Sequence, residues 1–337
     1  MKRKIYPDNA LILAPLSGFT DIPYRHSARR SGCAFAFTEM VDAGALAHGA
    51  GKTLRMLDRA PDEPWLGVQI VGAVPEEIAE AARIVSDRHF DVVDFNLGCP
   101  APKVVKKGEG SALAANPDAA AKAFEALARN SRRPATAKIR ILHPEDPAPS
   151  VELAKKLADA GAAAITVHGR IRSQFYSGQV AFHVIEAIRE TVDCQVIANG
   201  GVTGIKTYDE IRSKTGCGAV MLARGAMGNP WIFGELSKSE SWSPPTPAEF
   251  ADELQTHVLE MVKRDGREIG LKKARKVILD YMRGRGFQRT LKTLVIKIAD
   301  EKDLADFADK LRGGPTTGRV SWLLKHPEAE RRLTLTP

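Results

Sequence analysis

The sequence predicts an α/β chain, a (β/α)8 TIM barrel followed by a small C-terminal helical domain, and three observations predict it. Between Leu11 and Leu222, short strand-like runs alternate with helical patterns, as βαβ units and a parallel sheet require. Eight such runs occur in that stretch, the number that closes a barrel. Beyond a serine- and proline-rich break the pattern turns purely helical. An open doubly wound sheet is the structural alternative.

The expected strands are Leu11 to Ala14, Phe35 to Glu39, Leu66 to Val71, Val92 to Asn96, Ala135 to Ile139, Ala164 to Val167, Gln195 to Ala198 and Ala219 to Leu222. The helices between them carry start signals. Pro75 stands at a first helical position before Glu76 and Glu77, and Ile78, Ala81, Ala82 and Val85 repeat at helical spacing. Asn116-Pro117-Asp118 supplies a cap, an N1 proline and an acidic first turn ahead of Phe124 and Leu127. These signals divide the chain into a barrel over 1–238, a linker over 239–247, a helical domain over 248–326 and a tail over 327–337. In the helical domain Leu271, Ala274, Ile278 and Tyr281 share one face, leaving Lys272, Arg275, Lys276 and Arg283 to others.

Composition narrows the function classes. Of 337 residues, 44% are hydrophobic and 27% charged, which is ordinary for a globular protein. No apolar run approaches the roughly 20 residues of a membrane span. The apolar patch after Met1-Lys-Arg-Lys-Ile-Tyr-Pro7 is too short for a signal peptide, so a cytoplasmic location is expected. Four cysteines, at 33, 99, 194 and 217, form no CxxC pair and no metal-ligand spacing. Neither a disulfide framework nor a metal site is indicated. The charge is concentrated: Lys263 to Lys297 holds twelve Lys/Arg against three Asp/Glu, whereas the remainder holds 37 against 38. Such a stretch suits a polyanion such as nucleic acid, or is a solvated helix face.

The chemistry of a barrel collects at the carboxyl ends of its strands. The fourth run, Val-Val-Asp-Phe-Asn-Leu-Gly-Cys-Pro over 92–100, turns Asp94 and Asn96 to one face and ends with Cys99 between Gly98 and Pro100. Taken alone, Cys99 is a packed thiol as readily as a reactive one. Around it stand Ala14-Pro15-Leu16, Gln69, Lys138-Ile139-Arg140, His168-Gly169-Arg170, Asn199-Gly200-Gly201 and Ala223-Arg224-Gly225. The glycine-rich turns after the last two strands, with a helix start near Asn229-Pro230, suggest a phosphate cradle. Lys138 and Gln69 would lie across the mouth, where a lysine stabilises an anionic reduced flavin and an amide bonds its pyrimidine edge. A strand-end ion pair is the plainer reading of Lys138, and a structural role that of His168.

These motifs resemble the tRNA-dihydrouridine synthases. The match runs through Ala-Pro-Leu-Ser-Gly-Phe-Thr-Asp (14–21), Thr-Glu-Met-Val (38–41), Gln69, Asp-Phe-Asn-Leu-Gly-Cys-Pro (94–100) and Lys-Lys-Gly-Glu-Gly-Ser-Ala-Leu (106–113). It continues through Lys138-Ile-Arg140, His168-Gly-Arg170, Asn199-Gly200 and Arg224-Gly-Ala-Met-Gly-Asn-Pro-Trp231, so it covers the whole barrel in order. In the C-terminal domain Arg275-Lys276, Tyr281, Arg283-Gly284 and Lys292 fit, while Val277 and Asp280 stand where many members have His and an aromatic. Leu16 replaces the usual Met, Gly201 an acidic residue, Ala223 a Gly, and Glu109 a small residue.

The resemblance implies an FMN enzyme, reduced by NADPH or possibly NADH, that saturates the C5=C6 bond of specific uridines in tRNA. Hydride goes to C6, which is β to the C4 carbonyl, and a proton must reach C5 from the opposite face. Cys99 is the implied acid, acting as a thiol rather than a resting thiolate. Ala14, Pro15, Leu16, Gln69, Lys138, His168, Asn199, Gly200, Gly201, Ala223, Arg224 and Gly225 are the implied cofactor residues. Asn96, Arg140 and Arg170 would hold the splayed-out nucleotide, and Lys272, Arg275, Lys276 and Arg283 the tRNA body. A monomer with no membrane and no metal partner is expected. Two other readings compete: an FMN oxidoreductase for a small free pyrimidine, as in dihydroorotate dehydrogenase-like barrels, and a tRNA-binding protein without catalysis.

Overall fold

The computed structural model describes residues 4–237 and 242–315, together with Gly318, Ser321 and Lys325. Residues 239–241 of the expected linker and the expected tail 327–337 lie outside the described residues. The chain divides into two compact units: one comprises 1–22, 34–202 and 206–223, the other 23–33, 203–205 and 224–337.

All eight expected strands form: β1 (Leu11–Leu13), β2 (Phe35–Asp42), β3 (Leu66–Val71), β4 (Val92–Leu97), β5 (Ala135–Arg140), β6 (Ala164–His168), β7 (Gln195–Asn199) and β8 (Ala219–Leu222). Each lies parallel to the next and β8 pairs with β1, so the sheet closes and the open alternative is excluded. Strand β2 runs three residues past Glu39 by shifting register between Phe37 and Met40. The helix Pro75–Ser86 begins at its proline and buries Ile78, Ala81, Ala82 and Val85. Asn116 caps Pro117–Asn130 by accepting from Ala119 N at 3.1 Å.

Side chains that alternate inward grade along the barrel axis from apolar to polar. At the amino end Tyr6, Phe35, Phe37 and Trp65 pack edge to face or tilted, with ring centroids 5.3–5.7 Å apart. The Gln195 side chain accepts from Ile5 N and Tyr6 N and donates to Tyr6 O, stitching the N-terminal segment to the start of β7. Gly67 makes room for the Phe37 ring: a Cβ there would lie 2.3 Å from Phe37 Cε1. Two residues further along the same face stands Gln69, and the interior becomes hydrogen-bonding.

The second unit is helical. Its helices Pro247–Asp265, Arg267–Met282 and Glu301–Arg312 bury Phe250, Leu254, Ala274, Ile278 and Phe307 in one core. Thr246 and Glu249 close a capping box around Pro247 at the first helical position. Within this unit Tyr281 Oη bonds Ser27 Oγ at 2.8 Å and His257 Nδ1 at 3.1 Å, and burial pushes His257 down to about 3. Gly228 must be glycine on two counts, a φ of 61° and a Cβ position 2.3 Å from the Asp280–Tyr281 backbone.

Replacing Gly67 by Ala is expected to destabilise the protein by about 1–3 kcal/mol through overpacking against Phe37. Denaturant unfolding checks this, and a midpoint equal to wild type would show that the ring can move aside.

Candidate active site at the carboxyl end of the barrel

The polar interior is one directed chain of hydrogen bonds. Register places Gln69 beside Asp94, Asp94 beside Thr136, and Asn96 beside Lys138. Thr136 Oγ1 donates to Asp94 Oδ1 at 2.6 Å, and Gln69 Nε2 donates to Asp94 Oδ2 at 2.7 Å. With its nitrogen so committed, Gln69 turns Oε1 to accept from Asn96 Nδ2 at 2.8 Å. Asn96 therefore points Oδ1 at the turn beyond β4, accepting from Gly98 N at 3.0 Å and Cys99 N at 2.9 Å. An ionised carboxylate only accepts, so Asp94 sets the orientation of both amides and, through them, the turn that carries Cys99.

That turn is held from three further directions. Ser111 donates to the Cys99 carbonyl through N at 3.1 Å and Oγ at 2.8 Å. Arg140, 3% exposed, donates from Nε to Gly98 O at 2.9 Å. Gly98 lies against β5, where a Cβ would meet the Ile139–Arg140 backbone at 3.2–3.3 Å. Cys99 itself is half-buried.

Across the mouth Lys138 donates from Nζ to Asn199 Oδ1 at 3.1 Å, and Asn199 Nδ2 donates to Met221 O at 2.7 Å, which fixes that amide as well. Lys138 is thus bonded to a neutral oxygen rather than in a strand-end ion pair. Desolvation, helped by the Arg140 charge and opposed by Asp94, lowers its ammonium from 10.5 to about 8. Burial likewise raises Asp94 from 3.8 to about 6, against the lowering effect of its bonds to Gln69 and Thr136. His168, Arg170 and Asn199 are also buried at this end. Arg170 reaches Gly178 O from Nε and a terminal nitrogen at 3.0–3.1 Å and stands 3.4 Å from His168 Nε2. Both arginines expected to meet a nucleotide are thus bonded to loop carbonyls.

Gly200 and Gly201 follow β7 with φ of 128° and 72°. A Cβ on Gly200 would lie 3.0 Å from His168 Cδ2, and one on Gly201 3.2 Å from Val180. Ala14 N donates to Leu222 O at 2.8 Å, and Leu16 N to Thr20 Oγ1 at 3.0 Å, which fixes the turn through Pro15 beyond β1. Ala223 ends the barrel unit, packed against the interior.

Residues 12–312 match the family described as Dihydrouridine synthase (Dus). The chain belongs to the dihydrouridine synthase family. Among its relatives, the probable tRNA-dihydrouridine synthase of Rickettsia prowazekii is 34% identical over 88% of this chain and 94% of its own. The tRNA-dihydrouridine synthases B of Xanthomonas axonopodis pv. citri and Pseudomonas aeruginosa are each 36% identical, over 79% and 81% of this chain and 81% and 84% of theirs.

In this dihydrouridine synthase the remaining expected residues belong to the helical unit. Arg224 and Gly225 lie in a short 3-10 turn, Arg224–Ala226, and the next helix starts at Ile232, two residues beyond Pro230. Lys272 and Lys276 are exposed on Arg267–Met282 and Arg275 is half-buried. Arg283 pairs with the buried Asp280 at 2.6 Å. Arg285, from the same basic stretch, is buried and not part of a surface: it donates to Gly228 O, Tyr281 O and Asn229 Oδ1 between the Trp231 and Phe250 rings. Thr136 and Ser111 were not among the expected site residues. Thr136 carried a signal, since it precedes Lys138 by two and so shares its face; Ser111 carried one only as a member of the 106–113 motif.

The raised Asp94 pKa has a definite sign. Between about 4 and 6 the folded chain holds the Asp94 proton more tightly than the unfolded chain, so stability falls as pH rises through that window and levels off above it. Asp94→Asn keeps an acceptor toward Gln69 but cannot ionise. It is expected to remove this slope, whose amplitude is on the order of 3 kcal/mol. Unfolding free energies of both proteins from pH 4 to 7 check it, and parallel profiles would refute the assignment.

Proposed function

We propose that this dihydrouridine synthase reduces specific uridines in tRNA to 5,6-dihydrouridine, with Cys99 as the acid that protonates C5. The reading rests on one observation above the others: the Asp94–Gln69–Asn96 chain holds the Cys99 turn at the barrel mouth, on the strand beside Lys138, which bonds Asn199. The family is flavin-dependent, and FMN is the cofactor we propose. A desolvated ammonium bonded only to an amide oxygen suits an electron-rich ring. The glycine pair at 200–201, both at positive φ, suits a ribityl phosphate.

Bound FMN, replenished by NADPH, supplies the hydride that goes to uracil C6. The chain's own residues do the rest. Lys138 would face the isoalloxazine, Asn96 would orient the base with its remaining N–H and His168 would contact ring or base, while Gln69, fully buried, would act through Asn96. Asn199, Gly200 and Gly201 would hold the phosphate end, while Ala14, Pro15, Leu16 and Ala223 would wall the ring. Arg224 and Gly225 join the phosphate ligands on resemblance alone. Cys99 gives its Sγ proton to C5, so the thiol must be neutral when the base arrives. Arg140 and Arg170 act on the nucleotide through the loops whose carbonyls they hold. Lys272, Arg275, Lys276 and Arg283 attract the tRNA backbone, and the enzyme works as a monomer in the cytoplasm. No helix among the described residues is long and apolar enough to cross a membrane.

Purified protein incubated with unmodified tRNA, FMN and NADPH is expected to yield dihydrouridine at defined positions; none at any position would refute the proposal. Cys99→Ala is expected to retain bound flavin and its reduction by NADPH while base reduction slows by about 10²–10⁴-fold. Unchanged base reduction would remove Cys99 as the acid. Affinity for tRNA is expected to fall steeply with added salt, and salt-independent binding would favour a small free pyrimidine instead.

A further inference from the structure

We infer that Arg170 fixes His168 as a neutral imidazole with its proton on Nδ1, so that His168 serves the site as an oriented hydrogen-bond donor and not as a source of protons. The tautomer follows from the chain alone; its use in catalysis rests on the flavin and uridine reading above. A guanidinium donates through its nitrogens and accepts through none. Arg170 Nη1 stands 3.4 Å from His168 Nε2, so the lone pair in that contact belongs to His168. Nε2 therefore carries no hydrogen, and the ring proton sits on Nδ1. Arg170, acting through another side chain, is a positioning residue.

Both partners are held in this geometry. Arg170 grips Gly178 O from Nε at 3.1 Å and from Nη2 at 3.0 Å, which leaves Nη1 as the nitrogen turned to the imidazole. Its own N donates to His168 O at 2.8 Å, and Ala181 N donates to Gly169 O at 2.8 Å, closing the loop over residues 169–181. His168 ends β6 and is 8% exposed. Its Cδ2–Nε2 edge lies against Gly200, where a Cβ would come within 3.0 Å of Cδ2 and 3.4 Å of Nε2. Nδ1 belongs to the opposite edge of the ring. The glycine that opens the proposed phosphate cradle is thus also the one that lets the imidazole reach Arg170.

The surrounding charge favours the neutral ring. Register sets His168 beside Arg140 on β5 and Asn199 on β7. Lys138, two residues before Arg140, shares its face, and Arg170 adds a third cation. The Asp94 carboxylate is committed to Gln69 and Thr136. A second proton on His168 would add another positive charge to this group and remove the acceptor that Arg170 uses. A neutral imidazole is also a far weaker acid than a thiol, since yielding its proton leaves an imidazolate. The hydrogen on Nδ1 is held rather than transferred, and it suits a carbonyl oxygen of the flavin or the base. Proton delivery stays with Cys99.

The test is the ring 15N spectrum of His168 in the flavin-loaded protein, assigned by its disappearance in His168→Asn. From about pH 6 to 8, where an ordinary histidine titrates, wild type is expected to show one neutral ring with Nδ1–H favoured roughly tenfold or more. A proton on Nε2, or an imidazolium at about pH 7, would overturn the inference. Arg170→Met removes the donor, so the preference is expected to fall to within about threefold and a histidine ionisation to appear below about pH 6.5. An unchanged tautomer in that variant would also overturn it, because another group would then be fixing the ring. Single-turnover base reduction is expected to acquire the same additional ionisation in Arg170→Met, a change that loosening of the loop would not produce. The wild-type spectrum decides the tautomer even where Arg170→Met does not fold. Protein stripped of flavin is expected to keep the tautomer. Failure of the wild type to bind flavin would instead remove the cofactor reading and the use of the donor, leaving the tautomer in place.

Discussion

A buried carboxylate can accept hydrogen bonds but not give them, and the geometry of the barrel mouth follows from that restriction at Asp94. Gln69 must present nitrogen to it, so its oxygen faces Asn96; Asn96 must answer with nitrogen, so its oxygen faces the backbone of Gly98 and Cys99. Strands β3, β4 and β5 each contribute a link, and reversing any one amide would set donor against donor. In a low-dielectric interior an unpaired polar group is costly, so the chain is held as a unit or not at all. The turn that carries Cys99 inherits its rigidity from strands rather than from its own residues.

The same low dielectric sets the charge balance of the site. Asp94 and Lys138 are both drawn toward neutrality by burial, the acid upward and the base downward, and each partly relieves the other. The apolar lower half, with Tyr6, Phe35, Phe37 and Trp65 closing the amino end, keeps water from relaxing the balance from below.

Most of the barrel was legible because strands of a closed parallel sheet are buried on both faces and stand out as short apolar runs between helix caps. Alternation alone identified Asp94 and Asn96 as inward groups. What sequence could not supply was the partner of each inward group. Arg140 and Arg170 share a face with Lys138 and His168, which suggested ligand contacts, yet nothing local reveals that carbonyls of Gly98, Ile171 and Gly178 come within their reach. Arg285 was counted with the basic surface because a charge sum is blind to the Trp231 and Phe250 rings that enclose it.

Arg140 belongs to β5 but serves the loops that follow β4 and β6, through Gly98 O and Ile171 O. A planar guanidinium with several fixed donors can hold both at once, whereas an ammonium at this position would hold them less specifically. The two loops are consequently not independent in sequence space. A substitution that shifts one alters the geometry offered to the other through a shared side chain, and its effect depends on what the second loop already contains. Exchange of either loop with that of a relative therefore carries epistasis with it, transmitted through Arg140.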